Sequence, residues 1–273
     1  SMGRQIVWDI LPVGGDEFDD AIIDFMRKKH NLLIGERSAE EVKINLGTAI
    51  PPVSPLTNEV TASANLNYDQ IVDGSTAGIL EGETMSLEDL LYCAMLSSAN
   101  EACNILAEHV SGSVDAFVAA MNARAQELGC GNTHFVNTNG LEDPNHYTTA
   151  ADFAKIAQEA VKNSTLMGIC GTLAYTVPAT NKADARELVN TNSLLNPNSD
   201  YYYEYAYGIK TGYFTNAGYC LVSASAYDEM DVVCVVLGSA EKGDHFSDTL
   251  AIFDWFYDTY SNRQILSSTQ TLM

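Results

Sequence analysis

The feature that most constrains this chain is one change of hydrophobic period along its length. From Leu87 to Lys162 apolar residues recur at helical spacing, whereas from Tyr207 to Leu237 they gather in short β-rich runs. Ser86 to Asp89 has the form of a capping box, and Leu87, Leu90, Leu91, Ala94 and Met95 then line one helical face. The polar stretch Ser97 to Asn100 interrupts this pattern, which resumes over Leu106 to Val110. Further helices are predicted over Ser113 to Leu128, closed by Gly129, and over Thr149 to Lys162, opened by Thr149 and Asp152. The β-rich runs are Tyr207 to Gly212, Gly218 to Ala226 and Val232 to Leu237, the last two joined as a hairpin by the turn Asp228 to Asp231. An amphipathic helix over Ser247 to Tyr260 should pack Leu250, Phe253, Trp255 and Phe256 on that sheet. The order reads as α+β, a helical cluster before an antiparallel sheet.

The first fifty residues are organised differently. Phe18, Ile22, Ile23, Phe25 and Met26 mark one amphipathic helix, and Ser38 to Glu41 opens a second that stops at Gly47. Pro51, Pro52 and Pro55 mark a junction, and Glu59 to Leu80 reads as loop with short extended pieces and a turn at Asp73-Gly74.

Charge narrows the partners. A formal net charge of -22 repels a phosphate backbone or an anionic membrane surface, so nucleic acid is not expected as a partner. Six cysteines lie in apolar stretches without a Cys-x-x-Cys pair, and the five histidines are scattered, so neither a metal site nor a cofactor is expected. With no 18-residue apolar run and no signal-peptide pattern, a soluble chain without a membrane segment is the expectation.

Two short motifs carry candidate chemistry. Lys210-Thr211-Gly212 ends a predicted strand, where an ammonium and a hydroxyl beside a glycine can receive a peptide ending in a carboxylate. Ser98-Ala99-Asn100 places a hydroxyl and an amide where the flanking pattern is apolar, so both need polar partners.

With their surroundings these motifs resemble the serine-type D-alanyl-D-alanine carboxypeptidases, the low-molecular-mass penicillin-binding proteins of β-lactamase-like fold. The resemblance runs from about Leu56 to about Tyr260 and is carried by Glu81 to Leu91 leading into Ser97 to Cys103, by Asn132 to Leu141 with His146 to Asp152, and by Gly208 to Gly212. It implies an acyl-enzyme mechanism on peptidoglycan stem peptides, with β-lactams as substrate mimics. By that resemblance Ser98 relays a proton toward the leaving D-alanine, Asn100 holds the substrate amide, and Lys210, Thr211 and Gly212 bind the terminal carboxylate. It also implies work outside the cytoplasmic membrane.

The family's Ser-x-x-Lys motif should lie upstream of Ser98. Only Lys242 has a serine three residues earlier, Ser239, and that pair follows the last predicted strand, where the match is accidental. Leu56 to Ser63 resembles the stretch that follows the nucleophile helix, so the N-terminal strands and that helix are replaced by the preceding helical segment. That segment, Val13 to Asp24 with Asn31 to Thr48, resembles an internal piece of the rod-shape-determining bacterial actin, without that family's phosphate loops. The organisation expected is therefore an actin-like fragment over 1–50 and a truncated carboxypeptidase domain over 51–273. Two readings follow: a carboxypeptidase with impaired activity, using a serine such as Ser54 or Ser75, or a non-catalytic peptide- or β-lactam-binding module or fusion relic. An uncovered sheet edge would also let two copies pair.

Overall fold

The computed structural model describes residues 58–63 and 75–262. The helices expected before Gly47 and the turn at Asp73-Gly74 lie outside them, as does Ser54. The described residues belong to the unit Asn58–Met273, whose boundary with Ser1–Thr57 follows the proline cluster.

A short antiparallel pair opens this unit, β1 (Glu59–Thr61) with β2 (Thr84–Ser86). Helix α1 (Leu87–Leu96) follows at once, and the Ser86 hydroxyl accepts its cap bond from the Asp89 N–H at 3.0 Å. A break at Ser97 to Ala99 separates α1 from α2 (Asn100–Ser111), and α3 (Val114–Glu127) starts on the Ser113 hydroxyl. Beyond a long loop come α4 (Ala150–Ala160), capped by Thr149, and α5 (Ser164–Cys170). The pair β3 (Ala174–Val177) and β4 (Arg186–Val189) precedes the principal sheet.

That sheet is antiparallel, with order β5 (Ala206–Phe214), β6 (Gly218–Tyr227), β7 (Met230–Ser239), and α6 (Asp244–Thr259) closes the described chain. Successive residues of β6 serve opposite faces, as a period of two requires. Leu221 joins Leu194, Cys234, Phe246 and Phe253 beneath α6, whereas Val222 and Ala224 join Ala157, Met167, Cys170 and Ile209 beneath α4 and α5. Helices therefore cover both faces of the sheet. A third cluster, built on Leu90, Cys93, Leu96, Ala102 and Ile105, holds α1 and α2 to β1 and β2 and to the β3–β4 pair.

Three local expectations change. The β6–β7 turn is only Asp228-Glu229, both with positive φ (49° and 60°), so the strands stay paired as far as Tyr227 and Met230, beyond the ends that the expected four-residue turn allows. Helix α6 begins at Asp244, behind Gly243 at φ 105°, because burial of His245 and Phe246 draws the helix back past the better capping residue Ser247. Trp255, expected on the sheet, is 59% exposed; Phe253 two residues earlier is fully buried and occupies the contact face alone of the two. All six cysteines are free thiols, and four of them are buried.

Candidate active site

The break between α1 and α2 is built by backbone bonds on both sides of Ser98. The Ala99 N–H donates to the Cys93 carbonyl at 3.1 Å, and the Asn100 N–H donates to the Ser75 carbonyl at 3.0 Å. Ser98 is held between these anchors with φ 56°, a left-handed conformation that costs a serine about 1 kcal/mol or more. Asn100 is the first residue of α2 and only 5% exposed. The sequence pattern thus pointed to a polar interruption, and the structure makes it a turn that presents a hydroxyl.

Strand β5 brings Lys210 to that hydroxyl. The strand packs on α5 at Gly208, where an added Cβ would lie 2.7 Å from Met167 Cε, the free end of a flexible side chain, and 3.4 Å from Cys170 Cβ, so a larger residue here would make Met167 move. The Gly208 carbonyl accepts from Ser223 Oγ at 2.8 Å and from Asn192 Nδ2 at 3.1 Å, which pins the strand from both sides. Lys210 Nζ then donates to Ser98 Oγ and, at 3.1 Å, to the Thr211 carbonyl. Burial pushes the Lys210 ammonium down to about 8, against a weaker opposing influence of the Cys103 and Cys170 thiols. Among the described residues no carboxylate lies within ion-pair distance of Lys210.

The remaining motif residues lie along the same strand. Thr211 Oγ1 is 2.5 Å from Thr191 Oγ1, a partner that no sequence pattern singled out. Gly212 has room above it, since the nearest atom an added Cβ would meet is Cys220 Cβ at 4.0 Å. Across the site, Asn104 of α2 bonds Thr138, and Glu142 bonds Asn216 at the β5–β6 turn, so the 132–149 loop is tied to both elements that carry the motifs.

Two other expectations are placed by the same geometry. Ser75 contributes its carbonyl to the Ser98 turn, and its residue is exposed. Ser239 ends β7 and Lys242 is exposed ahead of α6, away from the helical cluster, which agrees with an accidental match. No group of residues among those described could hold a metal ion.

The D-alanyl-D-alanine carboxypeptidase model of the peptidase S11 family matches residues 53–241. The chain belongs to this family. A D-alanyl-D-alanine carboxypeptidase of Bacillus subtilis is 32% identical over 200 residues, 73% of this chain, and one from Streptomyces sp. K15 is 33% identical over 219 residues. The chain spans half the length of the Bacillus relative and 74% of the Streptomyces one. The crystal structure of the Streptomyces K15 DD-transpeptidase superposes with a TM-score of 0.68 at 32% identity, covering 76% of this chain and 81% of that one. The fold is accordingly that of the DD-peptidases, α+β with helices on an antiparallel sheet. A separate model, of the MreB/Mbl proteins, matches residues 1–66, in line with the actin-like resemblance of the N-terminal segment.

Proposed function

We propose that this carboxypeptidase-family chain binds peptidoglycan stem peptides ending in D-Ala-D-Ala, and β-lactams that mimic them, while hydrolysing the peptides slowly. Lys210, Thr211 and Gly212 take the terminal carboxylate along the β5 edge, Asn100 holds the substrate amide, and Ser98 handles the proton. The observation that carries this reading is the Lys210 ammonium beside Ser98 without a carboxylate partner among the described residues, a cation open to an incoming anion. Slow turnover follows from the sequence, in which no lysine before Ser98 has a serine three residues earlier. Removing one member of a nucleophile-base set takes away nearly all of the covalent rate. Work on the wall side of the cytoplasmic membrane belongs to the same proposal; no helix among the described residues is long and apolar enough to cross a membrane.

Equilibrium titration with an N-acylated D-Ala-D-Ala peptide, alongside an assay of D-alanine release, tests it. Saturable binding that weakens about 10- to 100-fold in Lys210→Ala, as loss of a charge-assisted bond predicts, is the expected result. Release of D-alanine at the rate of an intact relative, or no binding, would overturn it.

A further inference from the structure

We propose that Glu142 sets a sequence preference in the bound peptide, its carboxylate receiving a side-chain ammonium on the residue immediately before D-Ala-D-Ala. This rests on the proposed binding reading and deepens it, by naming a substrate feature for the same site.

What covers β5 fixes the direction in which a bound peptide leaves the carboxylate site. Ahead of Lys210 the strand is enclosed. Gly208 and Ile209 are buried, Asn192 takes the Gly208 carbonyl, and α5 ends against the Tyr207 carbonyl, which a Cβ added at Gly171 would meet at 3.2 Å. Beyond Lys210 the strand opens, with Gly212, Tyr213, Thr215 and Asn216 exposed. Among the described residues β5 pairs with β6 alone, so its other edge offers backbone groups to an extended peptide. A peptide whose terminal carboxylate sits at Lys210 and Thr211 therefore leads back toward Phe214 and the β5–β6 turn.

Glu142 stands at the end of that path, on the tip of the 132–149 loop. The loop is stiffened from within: His134 and Tyr147 exchange backbone bonds at 2.9 and 3.1 Å, Asp152 accepts from the Asn132 N–H at 2.7 Å, and Asn137 Oδ1 accepts from the Gly140 N–H at 2.8 Å. Asn216 Nδ2 donates to Glu142 Oε1 and so orients the carboxylate at the turn. Among the described residues the second oxygen has no hydrogen-bond donor, and no cation lies within ion-pair distance of it. An oriented carboxylate with acceptor capacity to spare suits an ammonium.

The spacing agrees. An extended peptide rises roughly 3.4 Å per residue, so the residue before D-Ala-D-Ala lies roughly 7 Å back from the terminal one, opposite Tyr213. A lysine there carries its ammonium on a flexible aliphatic stem, a reach comparable with the short stretch of chain from Phe214 to Asn216. The net charge of -22 attracts any cationic peptide, so a contact at Glu142 has to be told apart from that general pull.

Equilibrium titration of the full chain with three N-acylated peptides, in which lysine, norleucine or glutamate precedes D-Ala-D-Ala, makes the distinction. The lysine peptide should bind about 3- to 5-fold more tightly than the norleucine one, as an exposed ion pair predicts, and the gap should narrow as salt is raised. Glu142→Gln should erase the gap, and Glu142→Lys should invert the order so that the glutamate peptide binds best. Glu229→Gln, which removes a carboxylate at the β6–β7 turn on the opposite end of the sheet, should leave the preference in place. A lysine preference that survives Glu142→Gln, or that Glu229→Gln reduces equally, overturns the role of Glu142. Equal binding of all three peptides to the parent chain overturns it too while leaving the proposed function standing, whereas no binding of any peptide sinks both.

Discussion

Glu83 and Lys210 are two of the charged groups that the described residues enclose, and they are treated in opposite ways. Glu83 is fully buried, and its carboxylate receives the Arg186 guanidinium, the Thr180 hydroxyl at 2.8 Å and the Leu80 N–H at 2.9 Å. Arg186 spends a second nitrogen on the Ala77 carbonyl at 3.1 Å. Charge and hydrogen-bond capacity close on themselves there, tying β2 and its preceding loop to β4. Lys210 has a hydroxyl and a carbonyl but, among the described residues, no counter-charge. Buried charge that is saturated holds a fold together, whereas buried charge left open is available to a ligand or a proton.

Breaking the saturated region should have the largest effect. Glu83→Ala strands Arg186 in the interior, and denaturant unfolding should report a loss of about 3–5 kcal/mol. Replacing both partners with methionine should recover most of that loss; if the double variant is no better than the single one, the comparison fails.

At the open site the sign should reverse. Lys210→Met removes an unpaired buried cation, so the chain should gain about 1–2 kcal/mol of stability at pH 7 even as peptide affinity drops. A destabilised Lys210→Met would mean that the ammonium has a structural partner after all.

The pH dependence sharpens the same point. Lys210 has its ordinary value of 10.5 in the unfolded chain and about 8 in the folded one, so between these values the unfolded chain binds more protons and stability rises with pH. Below about 8 both states are charged and the penalty is complete. The advantage of Lys210→Met over the parent should accordingly shrink as pH climbs from 8 toward 10.5, followed by parallel denaturant titrations. The smallest effect is expected at Thr211→Val, which keeps shape and β-propensity but removes one hydroxyl, for about a 3- to 10-fold loss of peptide affinity by calorimetry.

Much of this contrast could be read from the chain, and the reasons it could not all be read are physical. Ser98, Asn100 and Lys210 stood out because polar groups broke an apolar pattern or closed a strand. Thr191, Cys103 and Cys170 did not, since their nearness to the motif residues comes from bringing the segment after β4, α2 and α5 up to β5, which leaves no trace in local spacing. The weak strands β3 and β4 were missed for a similar reason: four residues each give too little alternation to read, and their pairing is stabilised by Tyr175 stacked on Tyr92 of α1 at 3.7 Å.

Local chemistry by itself determined the α+β order, the caps at Ser86, Ser113 and Thr149, and the two motifs, because caps and hydrophobic periods act over a few neighbouring residues. Tertiary structure alone decided that β5 packs on α5 at Gly208, that Trp255 faces water, and that Ser98 meets Lys210. Those outcomes depend on contacts between segments far apart in the chain, where burial and close approach are set by the partner rather than by the residue itself.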